Sequence, residues 1–228
     1  MSPRTLVAAV LLPLVLAANG CTHSQKATTD PTTALAAAKR NLDATTGVHL
    51  TMSTPSLPQG VSGILTADGV ATHDPAFRGN IKVLASGITA QVPVVAVGGK
   101  VYAKLPFTTK YVVINPADYG APDPAGLMEA RSGISSLLTA ATGLSAGSQT
   151  RAGKTVVSTY DGRLSGAAVA TVIPSARTGG TFTASFSVDA KDDLTRAVLT
   201  GPFYATGGNV TYTIGFDAYG SHPTITAP

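Results

Sequence analysis

Thr181-Phe182-Thr183-Ala184-Ser185-Phe186-Ser187-Val188 sets every apolar side chain on one face and every hydroxyl on the other. Side chains of an extended chain point alternately to opposite sides, so a sustained period of two predicts a strand with one face on a core. Val210-Tyr212-Ile214-Phe216, interleaved with threonines, glycine and aspartate, repeats the device. Working outward, Val48-His49-Leu50-Thr51-Met52, Ile81-Lys82-Val83 and residues 89–97 alternate in the same way. Gly98-Gly99 separates two such runs and predicts a tight hairpin turn into Lys100–Leu105. About ten or eleven strands follow from this spacing, joined mostly by Gly, Asp and Pro turns.

An antiparallel sheet with one apolar face needs a cover. Asp30-Pro31 reads as an N-cap followed by proline at the first helical position, opening a helix through Ala34, Leu35, Ala38 and Leu42 that stops near Gly47. Asp123-Pro124 opens a second helical stretch carrying Leu127, Met128, Ile134, Leu137 and Leu138, with Gly133 marking a break. Ser165 caps a third short helix running through Val172. Strands, then helices, then strands again predict an α+β fold, a curved antiparallel sheet with helices packed into its concave side. No internal repeat or second domain boundary is visible, and 44% hydrophobic residues suffice for a sizeable core.

The N-terminus carries a different signal. Residues 1–4 include one positive charge and residues 5–18 are almost wholly apolar, the layout of a secretory signal. The run is shorter than the ~20 residues a membrane-spanning helix needs. Ala17, Ala18, Asn19 and Gly20 lead into Cys21, the only cysteine of the chain. A cysteine immediately after a small-residue cleavage site predicts a bacterial lipoprotein whose thiol is acylated. An ordinary signal peptide, with Cys21 left as a free thiol, is the competing interpretation. The chain therefore divides into residues 1–20 as signal peptide, residues 21–32 as lipidated N-terminus and tether, and residues 33–228 as the folded domain. No second anchor is apparent, and the expected location is the extracytoplasmic face of the cell membrane.

Charge and motifs exclude several functions. The 16 Lys and Arg against 12 Asp and Glu form no block, which argues against nucleic acid. Gly143-Leu144-Ser145-Ala146-Gly147 matches G-x-S-x-G, but a nucleophile elbow needs a strand before the serine and a helix after it. Here a helix precedes and a loop is expected, so a serine hydrolase is a distant alternative. Gly153-Lys154-Thr155 resembles the end of a phosphate loop, but Ser148 stands where its first glycine belongs, and the segment reads as a turn. The four histidines (His23, His49, His73, His222) show no ligand spacing, and Asp189, Asp192 and Asp193 lack the rest of a calcium loop. No metal, cofactor or catalytic residue is expected.

Several stretches taken in order resemble the LppX/LprAFG family of mycobacterial lipoproteins. They are Cys21, Gly47-Val48-His49-Leu50, Gly79-Asn80-Ile81-Lys82-Val83, Gly99-Lys100-Val101-Tyr102-Ala103-Lys104-Leu105, and Asp123-Pro124-Ala125 spaced before Gly133-Ile134-Ser135-Ser136-Leu137-Leu138. The resemblance spans nearly all of the chain after the signal. It implies an actinobacterial envelope lipoprotein: a highly curved half-barrel with helices on its concave face and an apolar cavity between them. It further implies binding of multiply acylated lipids or glycolipids, their movement across the envelope, and a lipid exporter as a possible partner. Two positions depart from the family pattern, which has tryptophan near Phe186 and a tryptophan–glycine pair where this chain has Tyr219-Gly220; the chain contains no tryptophan.

Alternation assigns the expected cavity wall. Ile81 and Val83 face away from Lys82; Val92, Val94 and Ala96 face away from Gln91; Val101, Ala103 and Leu105 oppose the neighbouring lysines. The resemblance places the strand of Ile81 in the lipid-lining wall, with Leu127, Ile134 and Leu138 of the middle helices opposite. A structural or assembly lipoprotein with a solid core, acting through a protein partner, is the principal alternative.

Overall fold

The computed structural model describes residues 25–152 and 155–228. The expected signal peptide, Cys21, His23 and the Gly153-Lys154 turn lie outside the described residues. Twelve strands form one antiparallel sheet: β1 (Gln25–Lys26), β2 (Gly47–Ser53), β3 (Gly63–Thr72), β4 (Ala76–Ala85), β5 (Ile88–Val97), β6 (Lys100–Ala103), β7 (Val112–Ile114), β8 (Thr142–Ala152), β9 (Thr155–Ser165), β10 (Thr181–Asp189), β11 (Leu194–Gly201) and β12 (Val210–Asp217). Their order is β1-β8-β9-β10-β11-β12-β2-β3-β4-β5-β6-β7, and the end strands do not pair, so the curved sheet is a half-barrel. Three helices, α1 (Pro31–Ala44), α2 (Ser135–Ala140) and α3 (Gly166–Val172), accompany it, with 3₁₀ turns at Pro116–Tyr119 and Pro124–Met128.

The caps follow from chemistry. Asp30 accepts from the Thr33 amide at 2.9 Å and Pro31 occupies the first turn of α1. That backbone hydrogen bond, with a second from the Thr33 hydroxyl, holds the Asp30 carboxyl below its ordinary pKa. Ser165 accepts from the Ala168 amide at 3.2 Å and starts α3. Gly98 and Gly99 have φ of 60° and 70°, the left-handed pair that a two-residue hairpin requires.

Two expectations are corrected. Residues 143–147 lie within β8, where Ser145 and Ala146 pair with Asp161 and Tyr160 on β9 and the register shifts on either side of that pair. Asp123 caps a 3₁₀ turn, and an α-helix forms only after Gly133, whose Cβ-free backbone packs against the backbone of Leu127 and Glu129. Before α1, Gln25 and Lys26 pair with Gln149 and Ser148 on β8.

The interior divides into two halves. Against β8–β11, α1 and α3 bury Leu35, Leu42 and Val169 onto Leu164, Phe182, Phe186 and Leu199, all almost inaccessible. α1 is tied to the segment before α2 by Lys39, which donates to Ala130 O at 2.6 Å and pairs with Asp43 at 2.8 Å. Phe186 belongs to this solid half, and Tyr219 donates to Leu194 O at 2.8 Å, tying the segment after β12 to β11.

On the outer face of β2, His49 bridges its neighbours, Nδ1 2.9 Å from Asp217 and Nε2 3.5 Å from Asp68. Partial burial alone would lower its pKa; the two carboxylates outweigh it and raise it. A histidine whose folded pKa exceeds the unfolded value contributes stability in full below the unfolded pKa, and loses it as pH rises through the folded one. The thermal midpoint of wild type relative to His49→Gln should therefore be highest near pH 5 and converge by pH 8.5. A difference independent of pH would show that the bridge acts without its charge.

Candidate functional site

Between the second half of the sheet and the middle segment lies an apolar chamber with a cavity volume of about 150 Å³. Its sheet wall is built from inward-facing residues of adjacent strands: Leu50 and Met52 on β2, Ile64 and Ala67 on β3, Phe77 and Ile81 on β4, Val94 on β5, Val101 on β6 and Ile114 on β7. Tyr212 and Ile214 of β12 complete it. The opposite wall is Pro124, Leu127, Ile134 and Leu137, with Val172 and Ile173 at the end of α3. Half-exposed or exposed residues of the 116–122 segment, together with Ser175 and Tyr204, form the rim.

The wall follows from register. Ile81 stands opposite Val92, Phe77 opposite Ala96, and Val94 opposite Ala103, so alternation on each strand places these side chains on one inner surface. Phe77 can lie flat only because Gly69 and Gly79 oppose each other directly beneath its ring. A Cβ at Gly69 would stand 2.6 Å from Phe77 Cζ, and one at Gly79 would stand 2.7 Å from it.

Of the residues expected in the wall, Ile81, Val94, Val101, Leu127 and Ile134 line the chamber. Val92, Ala96, Ala103 and Leu138 are buried in the packed core beside it, and Val83 and Leu105 are partly buried against that core. Sequence reasoning did not single out Leu50, Met52, Tyr212 and Ile214 as wall residues, although their strands alternate plainly. It also missed Ile114 and the rim at residues 116–122, where β7 is too short to show a period.

Among the described residues, no charged side chain and no histidine lines the chamber. Tyr212 Oη donates to Ile64 O at 2.8 Å, and Tyr204 Oη lies 2.7 Å from Tyr212 Oη. Burial pushes both phenols above their ordinary pKa, so both stay protonated. Ser145 is elsewhere, exposed on β8 opposite Asp161, and among the described residues no histidine hydrogen-bonds it. Also among the described residues, no group of three His, Cys, Asp or Glu converges, and no helix is long and apolar enough to cross a membrane.

An open antiparallel sheet curved around helices, with an apolar chamber between the layers, defines an α+β half-barrel protein. The chain belongs to the LppX_LprAFG lipoprotein family, whose family model matches residues 30–219. Its fold is similar to that of LprF from Mycobacterium bovis, with TM-score 0.69 and 16% identity over 90% of this chain and 99% of that one. It is also similar to the Mycobacterium tuberculosis lipoprotein LppX, with TM-score 0.62 and 16% identity over 86% of this chain and 98% of the other. No curated protein sequence matches the chain.

Proposed function

We propose that this protein is a non-catalytic carrier lipoprotein. Its chamber takes up the acyl tails of a multiply acylated lipid or glycolipid and moves them across the cell envelope. The observation that carries the proposal is the chamber itself: a wall of aliphatic and aromatic side chains, free of charge, in a domain whose other half is solidly packed. Moving apolar surface out of water is worth ~0.8 kcal/mol per buried CH₂, so two tails gain affinity without specific polar contacts. A strand of seven residues spans ~23 Å, the scale of an extended acyl chain. Such a site releases its cargo readily when offered another apolar phase, because the same term favours both. A lipid exporter of the envelope is the partner this role would require.

Mass spectrometry of organic extracts of the purified protein tests the proposal. Acylated lipid in stoichiometric amount is the expected result. Extracts free of lipid, from protein never exposed to detergent, would favour a structural lipoprotein acting through a protein partner.

The same proposal places the protein on the extracytoplasmic face of the plasma membrane, attached through acyl groups on Cys21. One acyl chain anchors marginally, whereas two or more hold a protein stably. Cys21→Ala should therefore move most of the protein from the membrane fraction to the medium. Wild-type retention of that variant would place the attachment elsewhere.

A further inference from the structure

Two phenols of the chamber lining, Tyr204 and Tyr212, meet in one corner. Tyr212 stands on the inner face of β12, its ring met edge-on by Phe203 with centroids 4.9 Å apart and planes at 89°. Tyr204, in the loop between β11 and β12, lies over Gly63, where an added Cβ would collide with its hydroxyl. The acceptor for Tyr212, Ile64 O, sits at a β-bulge, the register shifting between Ile64 and Thr66. Bulges re-aim backbone groups in this way beside functional sites.

The two phenols carry two hydrogens. The Tyr212 hydrogen goes to Ile64 O, so the one between the phenols comes from Tyr204. None is left for a ligand, whereas Tyr204 Oη keeps lone pairs free to accept. The rest of the wall supplies no cation to neutralise a phosphate or carboxylate and no anion to hold an amine. A buried charge without a partner is strongly unfavourable. An ester or ether oxygen set against Tyr204 Oη would bring two acceptors together with no hydrogen between them.

We infer that the part of the ligand reaching this corner is uncharged and brings a hydrogen-bond donor, a free hydroxyl or amide N–H of an acylated lipid, to Tyr204 Oη. This rests on the carrier proposal above and specifies the chemistry of its cargo. Tyr204 is thus a specificity residue that selects an acylated alcohol over the fully capped molecule with the same tails.

The test uses full-length protein, delipidated, and two probes: 1,2-dioleoylglycerol and its 3-O-methyl ether, in which a methyl group replaces the donor hydrogen. Wild type should bind the alcohol more tightly on the order of tenfold, the effect of leaving one buried polar group unpaired. Tyr204→Phe should bring the ratio close to one, and Ser145→Ala on β8, away from the chamber, should keep the preference. Equal binding of both probes by wild type would overturn the inference and leave the carrier proposal standing. Binding of neither, or of any other acylated lipid tried, would overturn the carrier proposal itself. A preference that survives in Tyr204→Phe would place the acceptor elsewhere and overturn the assignment. The wild-type ratio decides the chemistry even if the variant folds poorly, and the thermal midpoint of each variant shows whether it has.

Discussion

Ile81→Trp is expected to strip the protein of co-purifying lipid while leaving its thermal midpoint nearly unchanged. Ile81 is partly buried on β4 opposite Val92 and points into the chamber from the sheet wall. An indole there extends into space that no protein atom fills. It takes the place of the cargo and forces few of its neighbours off their rotamers. A solid core responds differently, since overpacking costs typically ~1–3 kcal/mol. Leu199→Trp supplies the comparison, because Leu199 is fully buried in the packed half. It should lower the midpoint by ~2–4 °C per kcal/mol in a chain of this size, with lipid content retained. The decisive result is the crossed pattern, lipid lost with stability kept at residue 81 and the reverse at residue 199. If Ile81→Trp destabilised as much as Leu199→Trp, the chamber would be filled in solution.

Gly79→Val should be the most damaging single change in the sheet, at about 3 kcal/mol or more. Gly79 and Gly69 face each other across β4 and β3, and a side chain at residue 79 meets the Asp68 carbonyl oxygen, the Gly69 Cα at 2.7 Å and the Phe77 ring. Two of these obstacles are backbone and cannot swing aside. The strands must separate or the Phe77 ring must leave the wall, which also reshapes the chamber. Urea unfolding of Gly79→Ala alone and in a Phe77→Ala background separates the two contributions. The cost should shrink in the double variant, where the ring is gone, and persist in part because the backbone contacts remain. An undiminished cost would mean that the ring had never leaned on the glycine.

Much of the architecture was legible because strand and helix periods are local. Phe182, Ala184, Phe186 and Val188 are all buried, as their alternation requires, and so are Val210, Tyr212, Ile214 and Phe216. Asp30-Pro31, Ser165 and Gly98-Gly99 acted as caps and turn because their hydrogen-bonding or backbone preferences need no distant partner. β8 escaped detection for the opposite reason. Its glycines and hydroxyl residues have no strand preference of their own, and pairing with β9 supplies the order.

By itself the sequence determined which residues turn inward and where the chain reverses. Only the tertiary structure decided whether the inward face meets a partner or empty space. Val92 and Val94 occupy the same face of one strand, yet Val94 borders the chamber and Val92 lies in packed core. Alternation specifies the direction of a side chain and says nothing of what stands across from it. That distance is set by how far the sheet curves and where Leu127, Ile134 and Leu137 are held above it, a sum of contacts between residues remote in the chain. The pairing of Tyr204 with Tyr212 and Ile64 has the same origin: three residues on separate segments meet through strand register and one β-bulge.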